Sequence, residues 1–477
     1  MSDRVTRRQF VRGLVVAAGS GVLAACAPKT VKETVVVEKP VKETVVVEKP
    51  VKETVVVTEE KVVTATPAPA KAAIVTIMHD RKELNEDQEA QFEADHPEIQ
   101  IEFVDHDVTR FVADYAAGRP ADLLRVQAPS IPQFLARGML FNLTPYFEAS
   151  DVLRPDDLAP ANDYYKALGP FNIGSGLMYG MCKDWSPDFT VYAYKTAFED
   201  AGVEVPDHTE APTYAELLEL ARKVSKSEGD RTLIFGFDYE LGWIGRMIGN
   251  ILAETGQTLY VEDYSKLSLR DREGARSIAE YFYTLAHENL GVNEVNPSPN
   301  WIGADFTTGV VAMLQYGYWF SAMAESEITA GKVVMLPAPT WSGKRRDPTM
   351  TATGMIMAAA SKVPDQAWTV FEWYNGGEPS VGRASSGWGV PALKSQYPLM
   401  PNETDFQKQV QEVLKGELEL ATPPIQFNPY LSEMAFGDSW SQNMLRSLQG
   451  EFGFDQFLQN VESEVNTAIQ EGIDRIG

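Results

Sequence analysis

Apolar positions after residue 73 alternate between the pattern of buried strands and the pattern of amphipathic helices. A short continuous apolar run predicts a buried strand, whereas apolar residues three or four positions apart predict a helix with one face in the core. Strands are predicted at residues 74–78, 99–104, 122–126 and 233–237. Helices are predicted at residues 84–95, 108–117 and 131–137. This alternation is typical of an α/β fold with mainly parallel sheets.

Further helices are predicted in the second half of the chain. Thr213 and Glu216 have the spacing of a capping box, which predicts that a helix begins at residue 214 and runs to 224. Its core-facing positions are predicted to be Leu217, Leu218, Ala221 and Val224. Long amphipathic patterns also predict helices at residues 271–287, 364–374, 430–448 and 455–471.

The first 25 residues have the pattern of an export signal, with a basic start followed by a mildly apolar segment at 13–22. The segment from Thr6 to Val11 contains Arg7-Arg8 and resembles a twin-arginine signal, although an ordinary secretory signal stays open. The apolar segment is shorter than the ~20 residues that a membrane span needs. Leu23-Ala24-Ala25-Cys26 resembles a lipobox, which predicts cleavage before Cys26 and lipid attachment to it.

A ten-residue repeat follows the predicted lipidation site. VKETVVVEKP occupies residues 31–40 and again 41–50, and a third copy begins at 51. Valine favours extended backbone, while Lys, Glu and Pro oppose pairing between strand edges. We therefore expect residues 26–73 to form an extended tether that holds the remaining chain away from the membrane. A small self-associating β module is the alternative.

Charge and cysteine content limit the binding partners and disulfide bonds that the chain can have. The chain has 42 Lys and Arg against 67 Asp and Glu, and the predicted signal carries four Arg and one Asp, so its removal makes the chain more acidic still. Strong acidity argues against nucleic acid as a partner. If Cys26 is lipidated, Cys182 has no cysteine with which to form an intramolecular disulfide. We expect Cys182 to be a buried apolar residue, since no His is near it in sequence.

Several motifs along the globular part follow one order. They include Phe92 to Ile99 with its Pro97, Pro120-Ala121-Asp122, Gly138 to Pro145, Tyr194 to Gly202, Phe306 to Met313 with Gly317-Tyr318-Trp319, and Gly389-Val390-Pro391-Ala392. Together they resemble the family 1 extracellular solute-binding proteins of ABC importers, which include sugar-binding proteins. Tyr194-Lys195 departs from the family's Tyr-Asn-Lys, so a role for that Asn is not carried over.

The resemblance implies a type II periplasmic-binding-protein fold of two discontinuous α/β lobes joined by hinge strands. Lobe 1 would comprise residues 74–185 and 350–392, and lobe 2 residues 186–349 and 393–477. The crossings between lobes are expected near 184–189, 347–351 and 388–394. The resemblance also implies that a monomeric chain closes around a solute and delivers it to the membrane subunits of an ABC permease. No cofactor or metal is expected.

Candidate ligand-binding residues are aromatic or polar residues that follow predicted strands or occupy predicted crossings, because α/β sites form beyond the carboxyl ends of strands. Sugars present C–H faces that stack on aromatic rings and hydroxyls that bond polar groups. The candidates are His79, Asp80, Trp185, Asp238, Tyr239, Trp243, Trp319 and Trp388. Trp368 and Trp373 are assigned to the core instead, because they lie within a predicted amphipathic helix.

Enzymatic alternatives have less support. The sequence has no Gly-x-Ser-x-Gly elbow, no His-Glu-x-x-His zinc motif and no phosphate-binding Gly-x-x-x-x-Gly-Lys-[Ser/Thr] loop. His79 and His106 are the only plausible metal pair. Acidic residues are so numerous that a lipid-anchored glycoside hydrolase stays open. A binding protein of the same fold for a polyamine or peptide is the other alternative, since the net acidity suits a cation.

Overall fold

The structure is a computed structural model that describes residues 72–476 except 230, 298, 299, 347, 348, 350 and 421. The predicted export signal, the lipidation of Cys26 and most of the predicted tether lie outside these residues. The strands, in chain order, are β1 Ala73–His79, β2 Ile99–Asp105, β3 Leu123–Val126, β4 Lys166–Gly169, β5 Asn172–Met178, β6 Gly180–Cys182, β7 Asp184–Trp185, β8 Val191–Tyr194, β9 Lys226–Glu228, β10 Arg231–Ile234, β11 Asp238–Tyr239, β12 Met313–Gln315, β13 Val333–Leu336, β14 Gly354–Met357 and β15 Val390–Pro391.

Helices cover both main sheets and supply most of the remaining regular structure. The α-helices are α1 Glu86–Asp95, α2 Val108–Ala116, α3 Ile131–Ala136, α4 Thr144–Ala149, α5 Lys195–Ala201, α6 Tyr214–Val224, α7 Ile244–Ala253, α8 Glu273–His287, α9 Ile302–Thr307, α10 Ser321–Ala324, α11 Pro364–Gly376, α12 Glu378–Ser386, α13 Asp405–Leu418, α14 Glu433–Leu448 and α15 Phe454–Ile476. Short 3₁₀ helices occupy Ala128–Ser130, Pro160–Tyr165, Leu241–Trp243, Tyr318–Phe320 and Lys394–Leu399.

The first main sheet has the strand order β2-β1-β3-β14-β6. β2, β1 and β3 are parallel, with Ala73 opposite Ile99 and Ile77 opposite Leu123. β1 and β3 are mainly apolar runs, as expected for strands covered on both faces, whereas β2 alternates between buried and exposed residues from Ile99 to Glu102. The side chains of Val75, Ile77 and Leu123 are accordingly buried.

The second main sheet has the strand order β11-β12-β8-β13. β11 and β12 are parallel, whereas β8 runs antiparallel to both β12 and β13. All four residues of β8 and all four of β13 are buried, so this sheet is also the centre of a packed core. The described residues therefore contain two main sheets, both packed within the hydrophobic core.

The prediction of mainly parallel sheets is wrong for two strands. β14 is antiparallel to its neighbours in the first sheet, and β8 is antiparallel to its neighbours in the second. Both strands follow a chain segment that passes from one sheet to the other. Such a strand enters its sheet from the edge that faces the other sheet, where the parallel strands end, so it must run in the opposite direction.

The segments between the sheets contact one another directly. β7 pairs antiparallel with β15, and Nε1 of Trp185 donates to the carbonyl of Pro391 at 3.1 Å. The backbone N–H of Thr351 donates to Oδ2 of Asp188 at 2.8 Å. Two of the three predicted crossings, 184–189 and 388–394, lie at this junction, while 347, 348 and 350 of the third lie outside the described residues.

Local patterns predicted several elements closely. α6 spans Tyr214–Val224 as expected, and both halves of the capping box between Thr213 and Glu216 are present. Leu218 is only half-buried, so its predicted inward position is confirmed in part. Leu84 is buried, but it precedes α1 rather than belonging to it, because Asn85 caps that helix through the N–H of Gln88.

The strand predicted at residues 233–237 is wrong in its bounds. β10 ends at Ile234, Phe235 forms a single bridge with Val311, and the next strand begins at Asp238. Gly236 lies between them, and a Cβ there would collide with the backbone of Ala221. This close approach of the chain to α6 interrupts the run that the apolar pattern had predicted to be continuous.

Candidate ligand-binding cleft

The carboxyl ends of strands from both sheets face a common cavity of about 800 Å³. From the first sheet, Asp80 follows β1 and Arg125 lies near the end of β3. From the second, Trp319 follows β12, while Trp301 precedes α9. Trp388 joins them from the segment before β15. We call this space the larger cavity, and it has the size of a small-molecule site.

Five aromatic side chains pack together in a group that we call the aromatic wall: Trp243, Trp301, Tyr316, Trp319 and Trp388. Tyr316 is buried within this group. Ring centroids are 6.0 Å apart for Trp243 and Tyr316, 4.8 Å for Tyr316 and Trp319, 6.2 Å for Trp301 and Trp319, and 6.4 Å for Trp319 and Trp388. Trp301 is 46% exposed. The wall therefore offers apolar ring surface to a ligand.

Two glycines explain how the chain presents this wall. Gly317 lets the backbone pass against Ser186, with which a Cβ would collide, and Oγ of Ser186 accepts the N–H of Trp319 at 3.2 Å. Gly387 ends α12 in the left-handed conformation, with φ of +73°, and this turn delivers Trp388 to the cavity. The Gly-x-Trp motif is thus a backbone requirement as well as a sequence signature.

A smaller cavity of about 350 Å³ continues the cleft past Trp243. It is lined by Gln127 from the end of β3 and by Arg246 from α7. Nη2 of Arg246 donates to Oε1 of Gln127 at 2.9 Å, which joins the two sides of the cleft. The guanidinium carbon of Arg246 also lies 5.1 Å from the ring centroid of Trp243. Because Trp243 packs on Tyr316, the wall connects the two cavities.

A group of paired charges, which we call the ion cluster, comprises Glu83, Arg125, Lys183 and Asp184. Glu83 and Arg125 line the larger cavity, while Lys183 and Asp184 are buried. Arg125 donates to Glu83 through Nη2 at 2.9 Å and Nε at 3.1 Å. Nζ of Lys183 lies 3.0 Å from Oε2 of Glu83 and also bonds Asp184. Burial opposes the charge on Glu83, but Lys183 and Arg125 outweigh it and lower the pKa of Glu83. Glu83 is therefore ionised and fully committed to its partners.

His79 lies beside this cluster without joining the cavity surface. Its side chain is completely buried, its ring packs edge-on against Tyr374 at 4.9 Å, and its Nδ1 accepts the N–H of Asp80 at 2.9 Å. Burial lowers the pKa of His79 to about 3. The imidazole is therefore neutral at physiological pH and acts as a packed element of the scaffold.

The structure brings together only some of the candidate residues. Asp80, Trp319 and Trp388 line the larger cavity, and Trp243 lines the smaller one. The side chains of His79, Trp185, Asp238 and Tyr239 are buried and line neither cavity. The pattern placed Asp238 after a strand, but Asp238 lies within β11, where its carboxylate accepts the N–H of Tyr239 at 2.9 Å. Burial raises the pKa of Asp238 well above its ordinary value.

Most residues that line the larger cavity were not among the sequence candidates, and Arg125, Trp301 and Arg383 are three of them. Arg125 did carry a signal, because a cation inside the apolar run of β3 requires a nearby anion. Arg383 carried no such signal, because the helix that contains it, α12, was not predicted from the sequence. Trp368 and Trp373 belong to the core as expected, where Trp368 stacks on Phe371 at 5.3 Å and Trp373 packs on Phe92 at 4.7 Å.

Two α/β sheets, joined by crossing segments and separated by a cleft, define a type II periplasmic-binding-protein fold, and solved structures share it. An ABC substrate-binding protein from Listeria monocytogenes in complex with cycloalternan has a TM-score of 0.68 at 18% identity, covering 84% of this chain and 99% of that one. The sugar-binding protein MalE from Xanthomonas citri has a TM-score of 0.62 at 16% identity, covering 84% and 98%. The galacto-N-biose-/lacto-N-biose I-binding protein of Bifidobacterium longum has a TM-score of 0.64 at 15% identity, covering 85% and 99%.

The chain belongs to the bacterial extracellular solute-binding protein family, whose model matches residues 77–378. A sequence search of curated proteins finds no match. Within the described part of the chain, no helix has the length and apolar character of a membrane span. The same residues contain no group of three or more His, Cys, Asp or Glu placed to hold a metal ion.

Proposed function

We propose that the protein is an extracytoplasmic receptor that captures a sugar or oligosaccharide in the cleft and delivers it to an ABC permease. The observation that carries this proposal is the aromatic wall opposite polar groups such as Asp80 and Arg383. Aromatic faces stack on the C–H surface of a sugar ring, and charged or amide groups bond its hydroxyls. The sugar ligands named for the Listeria and Bifidobacterium proteins of the same fold add support.

The division into lobes follows from the same reading. Lobe 1 comprises residues 74–185 and 350–392, and lobe 2 residues 186–349 and 393–477. The membership of the two sheets supports this division, since β1, β2, β3, β6 and β14 fall in lobe 1 and β8, β11, β12 and β13 in lobe 2. Ligand that touches both lobes favours the closed arrangement by its difference in affinity for the two states, so binding shifts the population toward closure without chemical change to the solute.

Attachment to the membrane completes the proposal. The lipobox at Leu23-Ala24-Ala25-Cys26 supports a lipid on Cys26, and the twin-arginine pattern supports export before it. More than one acyl chain is needed for stable anchoring. The repeats at residues 31–57 then act as a tether, and the receptor works as a monomer beside its permease.

A thermal-denaturation panel tests the proposal. Purified protein is heated with neutral sugars, neutral oligosaccharides, polyamines and peptides, each in excess. A ligand that binds only the folded state raises stability by RT ln(1 + [L]/Kd), so at least one saccharide should raise Tm. A panel in which only polyamines or peptides raise Tm would overturn the sugar assignment. Release of reducing ends from a bound glycoside would overturn the assignment as a receptor.

A further inference from the structure

A third cavity, which we call the basic chamber, lies beyond Arg246 and has a volume of about 540 Å³. Arg246 lines both this chamber and the smaller cavity, so the chamber continues the cleft at the end away from the larger cavity. Three consecutive cations, Lys344, Arg345 and Arg346, also line it. Among its lining residues, Glu254 is the one carboxylate.

The carboxylate of Glu254 already accepts hydrogen bonds from the neighbouring turn. Its Oε2 accepts the Oγ1–H of Thr340 at 2.9 Å and the N–H groups of Trp341 and Ser342 at 3.0 Å each. Arg345 is paired with Glu417, so three lining cations, Arg246, Lys344 and Arg346, face this single carboxylate. The chamber is therefore positive, although the chain as a whole has a net charge of −25.

The three consecutive cations differ in how fully they are paired. Arg345 pairs with the buried carboxylate of Glu417. Arg346 donates from Nη2 to the carbonyl of Pro423 at 2.8 Å, and its Nε is buried with no hydrogen-bond partner in the described structure. Lys344 is exposed and forms no ion pair with any residue that the structure describes. Lys344 thus retains exposed donors for an incoming anion, and the charge of Arg346 has no carboxylate partner among the described residues.

Two tyrosines make the chamber suitable for a sugar ring rather than for a bare ion. Tyr260 and Tyr264 line it with their ring centroids 6.0 Å apart. Tyr264 has a φ of 60°, a left-handed conformation that a bulky residue seldom adopts, and such strain concentrates at functional sites. Aromatic rings beside unpaired cations match a ring that also carries an anionic group.

We propose that the basic chamber binds the carboxylate of a uronic acid unit at one end of an oligosaccharide whose neutral units lie along the aromatic wall. This inference rests on the proposed function and names its ligand class as acidic oligosaccharides. The acidity of the whole chain does not oppose it, because exposed charges more than about 8 Å away are largely screened at physiological salt. Inside the chamber, the nearby cations dominate the field at the carboxylate.

Titration calorimetry with a matched pair of ligands tests this inference. The probe is an aldotetraouronic acid, which carries one glucuronic acid on three neutral xylose units, and its comparison is the methyl ester of the same molecule. We expect the acid to bind about tenfold more tightly than the ester, and this advantage to shrink as NaCl is raised. Arg346→Gln and Lys344→Gln should weaken binding of the acid and leave the ester unchanged. Arg110→Gln, on an exposed position of α2, is the control and should change neither.

The outcomes separate this inference from the proposed function. If the acid and the ester bind equally, or if only neutral oligosaccharides bind, the basic chamber is not a carboxylate site and the sugar receptor stands. If no saccharide of either kind binds, both fail. If inorganic phosphate binds and Arg346→Gln abolishes this, while no oligosaccharide responds to the substitution, the chamber is a free-anion site and the uronate assignment is overturned.

Discussion

The two faces of the cleft differ in chemistry: one presents aromatic rings and the other presents paired charges. The aromatic wall, mostly from the second sheet, leaves ring surface open, as the 46% exposure of Trp301 illustrates. The ion cluster is closed, since Glu83, Arg125, Lys183 and Asp184 bond one another. A group whose bonds are already made has little left to offer a ligand. The comparison therefore assigns recognition to the wall and scaffolding to the cluster.

The largest expected effect is on stability, and it tests the claim that the ion cluster supports the fold. Glu83→Gln leaves Arg125 and Lys183 buried without their shared carboxylate, which should reduce the free energy of unfolding by about 3–5 kcal/mol. Urea unfolding followed by far-UV circular dichroism measures it. Glu98→Gln removes an exposed carboxylate and should change stability by less than about 0.5 kcal/mol. If the two substitutions reduce the free energy of unfolding equally, the ion cluster does not stabilise the fold as proposed.

The second prediction concerns pH. The pKa of His79 is lowered from its ordinary value to about 3 by burial, so the unfolded chain binds a proton at this residue at a higher pH than the folded one does. Stability should therefore fall as pH decreases from about 6.5 toward 3, with His79 contributing up to about 1.4 kcal/mol per pH unit. His79→Asn keeps an acceptor for the N–H of Asp80 and should flatten this dependence in urea unfolding between pH 4 and 7. An unchanged slope would mean that the pKa of His79 is the same in the folded and unfolded chains.

The third prediction tests the claim that the aromatic wall binds the ligand. Trp319→Ala should weaken binding of the best saccharide by about tenfold or more, because Trp319 contacts Tyr316, Trp301 and Trp388 at the centre of the wall. Trp319→Phe should retain part of the affinity. Trp373→Ala, in the core outside the cleft, should lower Tm and leave affinity unchanged. If Trp319→Ala chiefly lowers Tm, the wall is core rather than a binding surface.

The smallest expected effect concerns the bond that joins the two faces. Gln127→Ala removes the acceptor of Arg246 and should weaken saccharide binding by roughly two- to tenfold, since a typical hydrogen bond contributes about 0.5–1.5 kcal/mol to the closed arrangement. Calorimetry measures the change. Gln91→Ala removes an exposed hydrogen bond within α1 and is the matched control. Tighter binding to Gln127→Ala would show that this bond obstructs the ligand.

The fold was more accessible from the sequence than the site, for a physical reason. Capping and apolar periodicity act over a few residues, so α6 and the first three strands were predicted within one or two positions. Trp319 and Trp388 were also accessible, because Gly-x-Trp and Gly-Trp-Gly mark unusual backbone. Trp301 reaches the wall only through tertiary packing with Trp319 and Tyr316, which no local pattern encodes.

Asp238 and Tyr239 lie within a strand rather than after one, and the reason is again tertiary packing. Both are polar-tipped residues after an apolar run, which suggested exposed positions beyond a strand. Pairing with Leu314 and Gln315 of β12 draws them into the sheet instead, and the ring of Tyr239 packs on Phe282 at 4.8 Å. A partner strand more than 70 residues away decided their burial.

The measurement that tests the central claim most directly is a crystal structure with the saccharide that gives the largest thermal shift. We expect a sugar ring stacked on Trp319, with hydroxyls bonded to groups of the opposite face such as Asp80 or Arg383, and with the ion cluster unchanged. A saccharide bound away from the aromatic wall, or one that displaces Glu83 from Arg125 to make its own bonds, would contradict the division between recognition and scaffold.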